Sequence, residues 1–65
     1  MIVNYLNNVA DNAIKNGDVR FDNTEYNAYM GVEIRKVEVV VDNVVHWFEF
    51  HNDVCVMIVS RLQSR

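Results

Sequence analysis

The stretch VEIRKVEVVVDNVVHWFEFH, residues 32–51, decides the fold. It is dominated by Val, Ile, Phe and Trp, side chains that suit a pleated surface, and its apolar residues tend to recur at every second position. Asp42-Asn43 interrupts it with two residues that tolerate left-handed backbone. The stretch therefore predicts two strands joined by a two-residue hairpin loop. With that loop the register follows on paper. Val41 faces Val44, Val39 faces His46, Val37 faces Phe48 and Arg35 faces Phe50 on one side of the sheet. Val40 faces Val45, Glu38 faces Trp47 and Lys36 faces Glu49 on the other, and the last pair sets opposite charges across the ladder.

Downstream, His51-Asn52-Asp53 reads as a second turn and Val54 onward as a third strand. The expected strands are 32–41, 44–51 and 54–62, and the short breaks imply an antiparallel meander. Upstream, Ile2, Val3, Leu6, Val9, Ala10, Ala13 and Ile14 recur at steps of three and four, the spacing of an amphipathic helix. Asn16-Gly17 is its expected stop, with Gly17 in left-handed backbone. Between helix and strands, Asp22-Asn23-Thr24-Glu25 fits a capping box, with Phe21 and Tyr26 at the positions of a hydrophobic staple. That pattern predicts a second short helix from Asn23 to Met30, ended by Gly31; the competing reading is a loop and an early strand through residues 27–30. The expected fold is α+β, one domain over residues 1–65. One or two N-terminal helices pack on one face of a three-stranded antiparallel meander, α-α-β-β-β.

Val37, Val39, Val41, Val44, Phe48 and Phe50 form the face expected beneath the helices. An antiparallel sheet with one solvated side alternates apolar and polar residues. Val54 to Val59 does not alternate, and Val40, Val45 and Trp47 also point away from the helices. Two helices in 65 residues cover one side only. An apolar patch of Val40, Val45, Trp47, Val56 and Ile58 is thus expected on the second face, with Lys36, Glu38 and Glu49 as a polar rim. Patches of this kind mark interaction sites. Three occupants fit: a second copy in a homodimer, a different protein, or the chain's own residues 18–31.

Other classes of function find little support. The net charge is −3 and the six cations are scattered, which argues against nucleic acid, whose binders carry a basic stripe. The single cysteine, Cys55, excludes an internal disulfide and suits a reducing compartment. The opening Met-Ile-Val-Asn-Tyr has no basic n-region, and the longest apolar run is too short to span a bilayer, so a cytoplasmic protein with no membrane partner is expected. His46, His51, Asp53 and Cys55 are the residues closest to a ligand or catalytic set. His46 and His51 project to opposite faces, no paired Cys/His block exists, and Cys55 sits between valines. Two glycines cannot build a phosphate-cradling loop. The expectation is no enzyme, no metal and no cofactor. Size and composition suggest a small inhibitor carried by a phage or mobile element, occluding a host nuclease, polymerase or CRISPR effector. A structural homo-oligomer or accessory subunit is the alternative, and a small enzyme the third.

Overall fold

Residues 5–63 are described by the computed structural model. The described residues run through α1 (Tyr5–Asn16) and four strands: β1 (Asp18–Asn27), β2 (Val32–Val41), β3 (Val44–His51) and β4 (Val54–Leu62). The strands form one antiparallel sheet in the order β1-β2-β3-β4. The class is α+β, with one helix and four strands among the described residues. Among the described residues no helix is long and apolar enough to cross a membrane.

Both short turns are built by residues that accept left-handed backbone. Asp42 and Asn43 have φ of 50° and 68°, and Asn52 and Asp53 have 50° and 69°. Positive φ at both central residues is the geometry whose twist matches the flanking strands. The β2–β3 register follows as expected from Val41↔Val44 to Arg35↔Phe50. Asn52 also ties its turn to the start of β2: its Oδ1 accepts from Glu33 N–H and its own N–H donates to Glu33 O, both at 2.9 Å.

α1 lies on one side of the sheet. Ala10 is fully buried in a cluster with Val37, Val39, Phe48, Phe50 and Cys55, and Leu6, Ala13, Ile14, Val41 and Ile58 pack around it. Val9, expected in the apolar stripe, is exposed; Ile2 and Val3 lie outside the described residues. Gly17 ends the helix, its N–H donating to Ala13 O at 2.7 Å, but its φ is not left-handed. Its role is close approach. A Cβ there would lie 2.6 Å from Val39 Cγ1 and 2.7 Å from both Ala13 O and Val41 Cγ2.

The second helix expected over Asn23–Met30 is not formed. Residues 18–27 are a fourth strand, and the meander has four strands rather than three. The capping-box pattern is local, whereas β1 pairs with β2 from Asp18 to Asn27, interrupted only by the bulge at Arg20, and satisfies its inward-facing backbone groups there. Tertiary pairing overrides the local signal. Gly31 does mark a stop, but of a hairpin loop: its φ is 71°, its N–H donates to Asn27 O, and Asn27 Oδ1 accepts from Met30 N–H.

Gly17→Ala is expected to destabilise the fold by about 1–3 kcal/mol, the usual range for overpacking. Two valine methyls and a backbone carbonyl must shift together to admit the new carbon. Denaturant unfolding of the variant beside the native chain measures it; an unchanged midpoint contradicts the close packing of helix end on β2.

Candidate functional site: the uncovered face of the sheet

The pleat sends alternate residues to opposite faces, and two bulges reset that alternation. One lies in β1 between Val19 and Phe21, the other in β4 opposite Glu49/Phe50. The β4 bulge makes Val56 the extra residue: Cys55 pairs with Phe50, Met57 with Glu49, Ile58 with Phe48 and Val59 with Trp47. An unbulged ladder places Val56 and Ile58 on the Trp47 face. The bulge exchanges the parity, so Ile58 joins the helix-side core instead, and Met57 and Val59 take the places expected for Val56 and Ile58. Ile58 is therefore withdrawn from the second face. Val56 itself is exposed.

Val40, Val45, Trp47, Lys36, Glu38 and Glu49 are brought together on the face opposite α1, as their register requires. The bulge at Arg20 adds Phe21, which pairs with Glu38 and turns its ring to Trp47, with centroids 5.5 Å apart and planes inclined at 53°. Tilted aromatic pairs at this separation are favourable. Residues 18–31 thus do not fold across the second face; they extend the sheet and contribute one aromatic side chain to it. Val45 is buried, with 4% of its surface accessible, while Trp47 is partly buried. Phe21, Met57 and Val59 remain 44%, 47% and 51% exposed. A shallow groove runs between Lys36, Trp47, Glu49, Met57 and Val59. Phe21, Met57 and Val59 were not legible as site residues, because their face depends on bulges that no residue type announces.

Charges frame this surface. Lys36 and Glu49 are register partners, and Glu49 Oε2 lies 2.7 Å from His51 Nε2 on the same strand. On the helix side, Arg35 grips Asp22 with two bonds, Nε to Oδ1 at 2.9 Å and Nη2 to Oδ2 at 2.7 Å, and its guanidinium stands 5.3 Å over the Phe50 ring. This clamp fastens β1 to β2 one residue from Phe21, so it helps hold Phe21 against Trp47. The Arg35 hydrogen bond holds the Asp22 carboxyl below its ordinary value, against a smaller opposing effect of burial.

The residues considered for chemistry are dispersed. His46 lies on the helix side, its Nδ1 2.6 Å from Ser60 Oγ and its ring stacked on Phe48. His51 lies on the opposite side with Glu49. Asp53 is in the turn, its carbonyl accepting from Asn7 Nδ2. Cys55 is buried on the helix side, and burial pushes its thiol up, away from the thiolate a nucleophile needs. Among the described residues no three His, Cys, Asp or Glu side chains converge as a metal site.

Comparison of the chain with protein-family models, with curated proteins and with solved structures found no match.

The Asp22–Arg35 clamp makes a pH-dependent contribution with a definite sign. The Asp22 value is lower in the folded chain, so its stabilisation is complete above the unfolded carboxyl value and lost as pH falls through the folded one. Both partners are substantially exposed, at 40% and 35%, so screening limits the effect to less than about 1 kcal/mol. Asp22→Asn is expected to lower neutral-pH stability by that amount. The difference from the native chain shrinks below about pH 4 and disappears in stronger acid. A difference that grew on acidification contradicts the clamp.

Proposed function

We propose that this chain is a non-catalytic protein-binding module that acts by covering part of a partner protein's surface. One observation carries the reading: a single helix covers one side of a four-stranded sheet, and the other side presents Phe21, Trp47, Met57 and Val59 within a rim of Lys36, Glu38 and Glu49. Central aromatic anchors inside a charged rim are the usual anatomy of protein interfaces. The accessible surface, 4887 Å², also exceeds the roughly 4,300 Å² that mass scaling gives a compact monomer of this size. A partner of matching chemistry offers an apolar patch bordered by both signs of charge. Small size and a shallow groove, apolar at its floor with Lys36 and Glu49 at its margin, support occlusion rather than turnover. An inhibitor carried by a phage or mobile element, acting on a host nuclease, polymerase or CRISPR effector, is the form of the proposal that size and composition favour.

Trp47 and Phe48 separate docking from folding, because they are adjacent in sequence and opposite in face. Phe48→Ala removes a fully buried ring and is expected to cost about 3–5 kcal/mol, enough to unfold a domain this small. Trp47→Ala gives up the tilted contact with Phe21, about 1 kcal/mol beyond the area the partly buried ring covers, and leaves the helix-side core untouched, so it is expected to stay folded. Immobilised native chain and Trp47→Ala chain are then compared in affinity capture from lysate of the source cell. A protein retained by the native chain and released from the folded Trp47→Ala chain supports the reading. Equal retention by both, or unfolding of Trp47→Ala, overturns it.

A further inference from the structure

The two edges of the sheet are built differently. β1 carries Asp18, Arg20, Asp22 and Glu25, is bulged at Arg20, and holds an Arg20–Asp18 ion pair at 2.6 Å. Charges and bulges are how natural sheets keep an edge from pairing with another chain. β4, the opposite edge, reads Val-Cys-Val-Met-Ile-Val-Ser-Arg-Leu, with Arg61 its single charge. Val56, Met57, Val59 and Leu62 are exposed along it.

Which backbone groups of β4 face outward follows from the ladder. Residues closing a two-residue hairpin exchange both bonds, and the pattern alternates from there. Val44 bonds toward β2, so its β4 partner Leu62 turns its N–H and C=O away from β3; Ser60 and Ile58 do the same by alternation. Two bonds fix the phase independently. Gln63 N–H donates inward to Asn43 O at 2.8 Å, so its even-numbered neighbour faces out. Cys55 N–H faces out as well, since the bulge shifts the phase by one residue, and there α1 supplies a substitute for a neighbouring strand. Asn7 Oδ1 accepts from Cys55 N–H, and Asn7 Nδ2 donates to Asp53 O, both at 2.9 Å. The edge is thus capped at Cys55 and uncapped over Ile58, Ser60 and Leu62.

We infer that this uncapped edge pairs with β4 of a second copy, antiparallel about a two-fold axis through Ser60. In that register Ser60 meets Ser60 of the other copy and Ile58 meets Leu62, so all three outward residues exchange bonds, on the order of six in total. The apolar side chains of Ile58 and Leu62 become neighbours on the helix side. Arg61 stands across from Val59, so the strand's one charge does not meet its own copy. The overlap stops short of Cys55, where Asn7 occupies the edge. Pairing β4 with β1 of another copy generates an open filament, and β1's charges and bulge oppose it; β4 with β4 closes at two. The axis is normal to the sheet, so the dimer is a continuous eight-stranded sheet with both Trp47 faces on the same side. This goes beyond the docking proposal and does not depend on it.

Proline tests the edge selectively. At Ser60 and at Leu62 it removes an N–H that points away from β3 and leaves the internal ladder intact, the setting in which edge strands tolerate proline. Ser60→Ala is the control for the His46 hydrogen bond, because it keeps the N–H. Sedimentation equilibrium at micromolar to millimolar concentration, with circular dichroism to confirm folding, reads the outcome. The native chain, Ser60→Ala and Trp47→Ala are expected at twice 7.6 kDa, and the proline variants at 7.6 kDa with the sheet retained. Should Ser60→Pro unfold through loss of the His46 contact, Leu62→Pro, whose side chain is 79% exposed, decides. A native chain that stays monomeric throughout, or folded proline variants that still dimerise, overturns edge pairing. A dimer lost in Trp47→Ala and kept in the proline variants assigns self-association to the open face instead. Partner capture by the folded Trp47→Ala chain bears on the docking proposal alone.

Discussion

Asp42 and Asn43 sit in left-handed backbone at consecutive positions, and the rest of the structure is referenced to that turn. Few non-glycine residues accept positive φ, and Asp and Asn are foremost among them. Once the turn closes with Val41 opposite Val44, every residue of β2 and β3 has an assigned face, because a slip by one residue sends each side chain to the other side. Val37, Val39, Phe48 and Phe50 then make a surface that a helix can cover, and Trp47 has to go to the other. The second turn, Asn52-Asp53, repeats the device and is locked to β2 by Asn52's two bonds with Glu33.

Much of this was legible in the sequence because strong periodicity and turn chemistry act over a few residues. The bounds of the three later strands and the β2–β3 register follow from the alternation of Val32–His51 and the two Asx-rich turns. The helix follows from the spacing of Leu6, Ala10, Ala13 and Ile14. What was not legible depends on contacts between distant segments. β1 is largely exposed and mostly polar, so it lacks a period-two signal; it is a strand because β2 offers it a full-length partner. Its Asp22 resembles a helix cap locally, but in the fold it answers Arg35, thirteen residues away. Gly17 reads as a helix stop, yet its necessity comes from Val39 and Val41 on another element.

The bulges explain why the candidate site was only partly readable. Within β2 and β3 the expected residues Val40, Val45, Trp47, Lys36, Glu38 and Glu49 share one face, since nothing interrupts the alternation between them. In β4, a single extra residue at Val56 moves Ile58 into the core and brings Met57 and Val59 out beside Trp47. Because every residue from Val54 to Val59 is apolar, the strand's composition is indifferent to this choice, and pattern alone could not distinguish the two faces. The same indifference is physical: β4 has apolar side chains for both sides, so the bulge redistributes them at little cost in burial.

One helix of twelve residues has two tasks on a sheet of this width. Its apolar stripe covers the centre of one face, and its polar residue Asn7 caps one end of the β4 edge. It reaches neither the other face nor the far half of that edge. β1 can be left uncovered because its own charges and bulge guard it. The Ile58–Leu62 edge has no bulge, and it and the open face carry fewer charges, Arg61 on the one and Lys36, Glu38 and Glu49 on the other; both are largely apolar. A chain that used a partner only to complete its core would have no need to protect one edge and expose the other. The asymmetry suits the proposed edge pairing: β1's charges and bulge oppose association, so pairing at β4 would close at two copies without continuing into a filament.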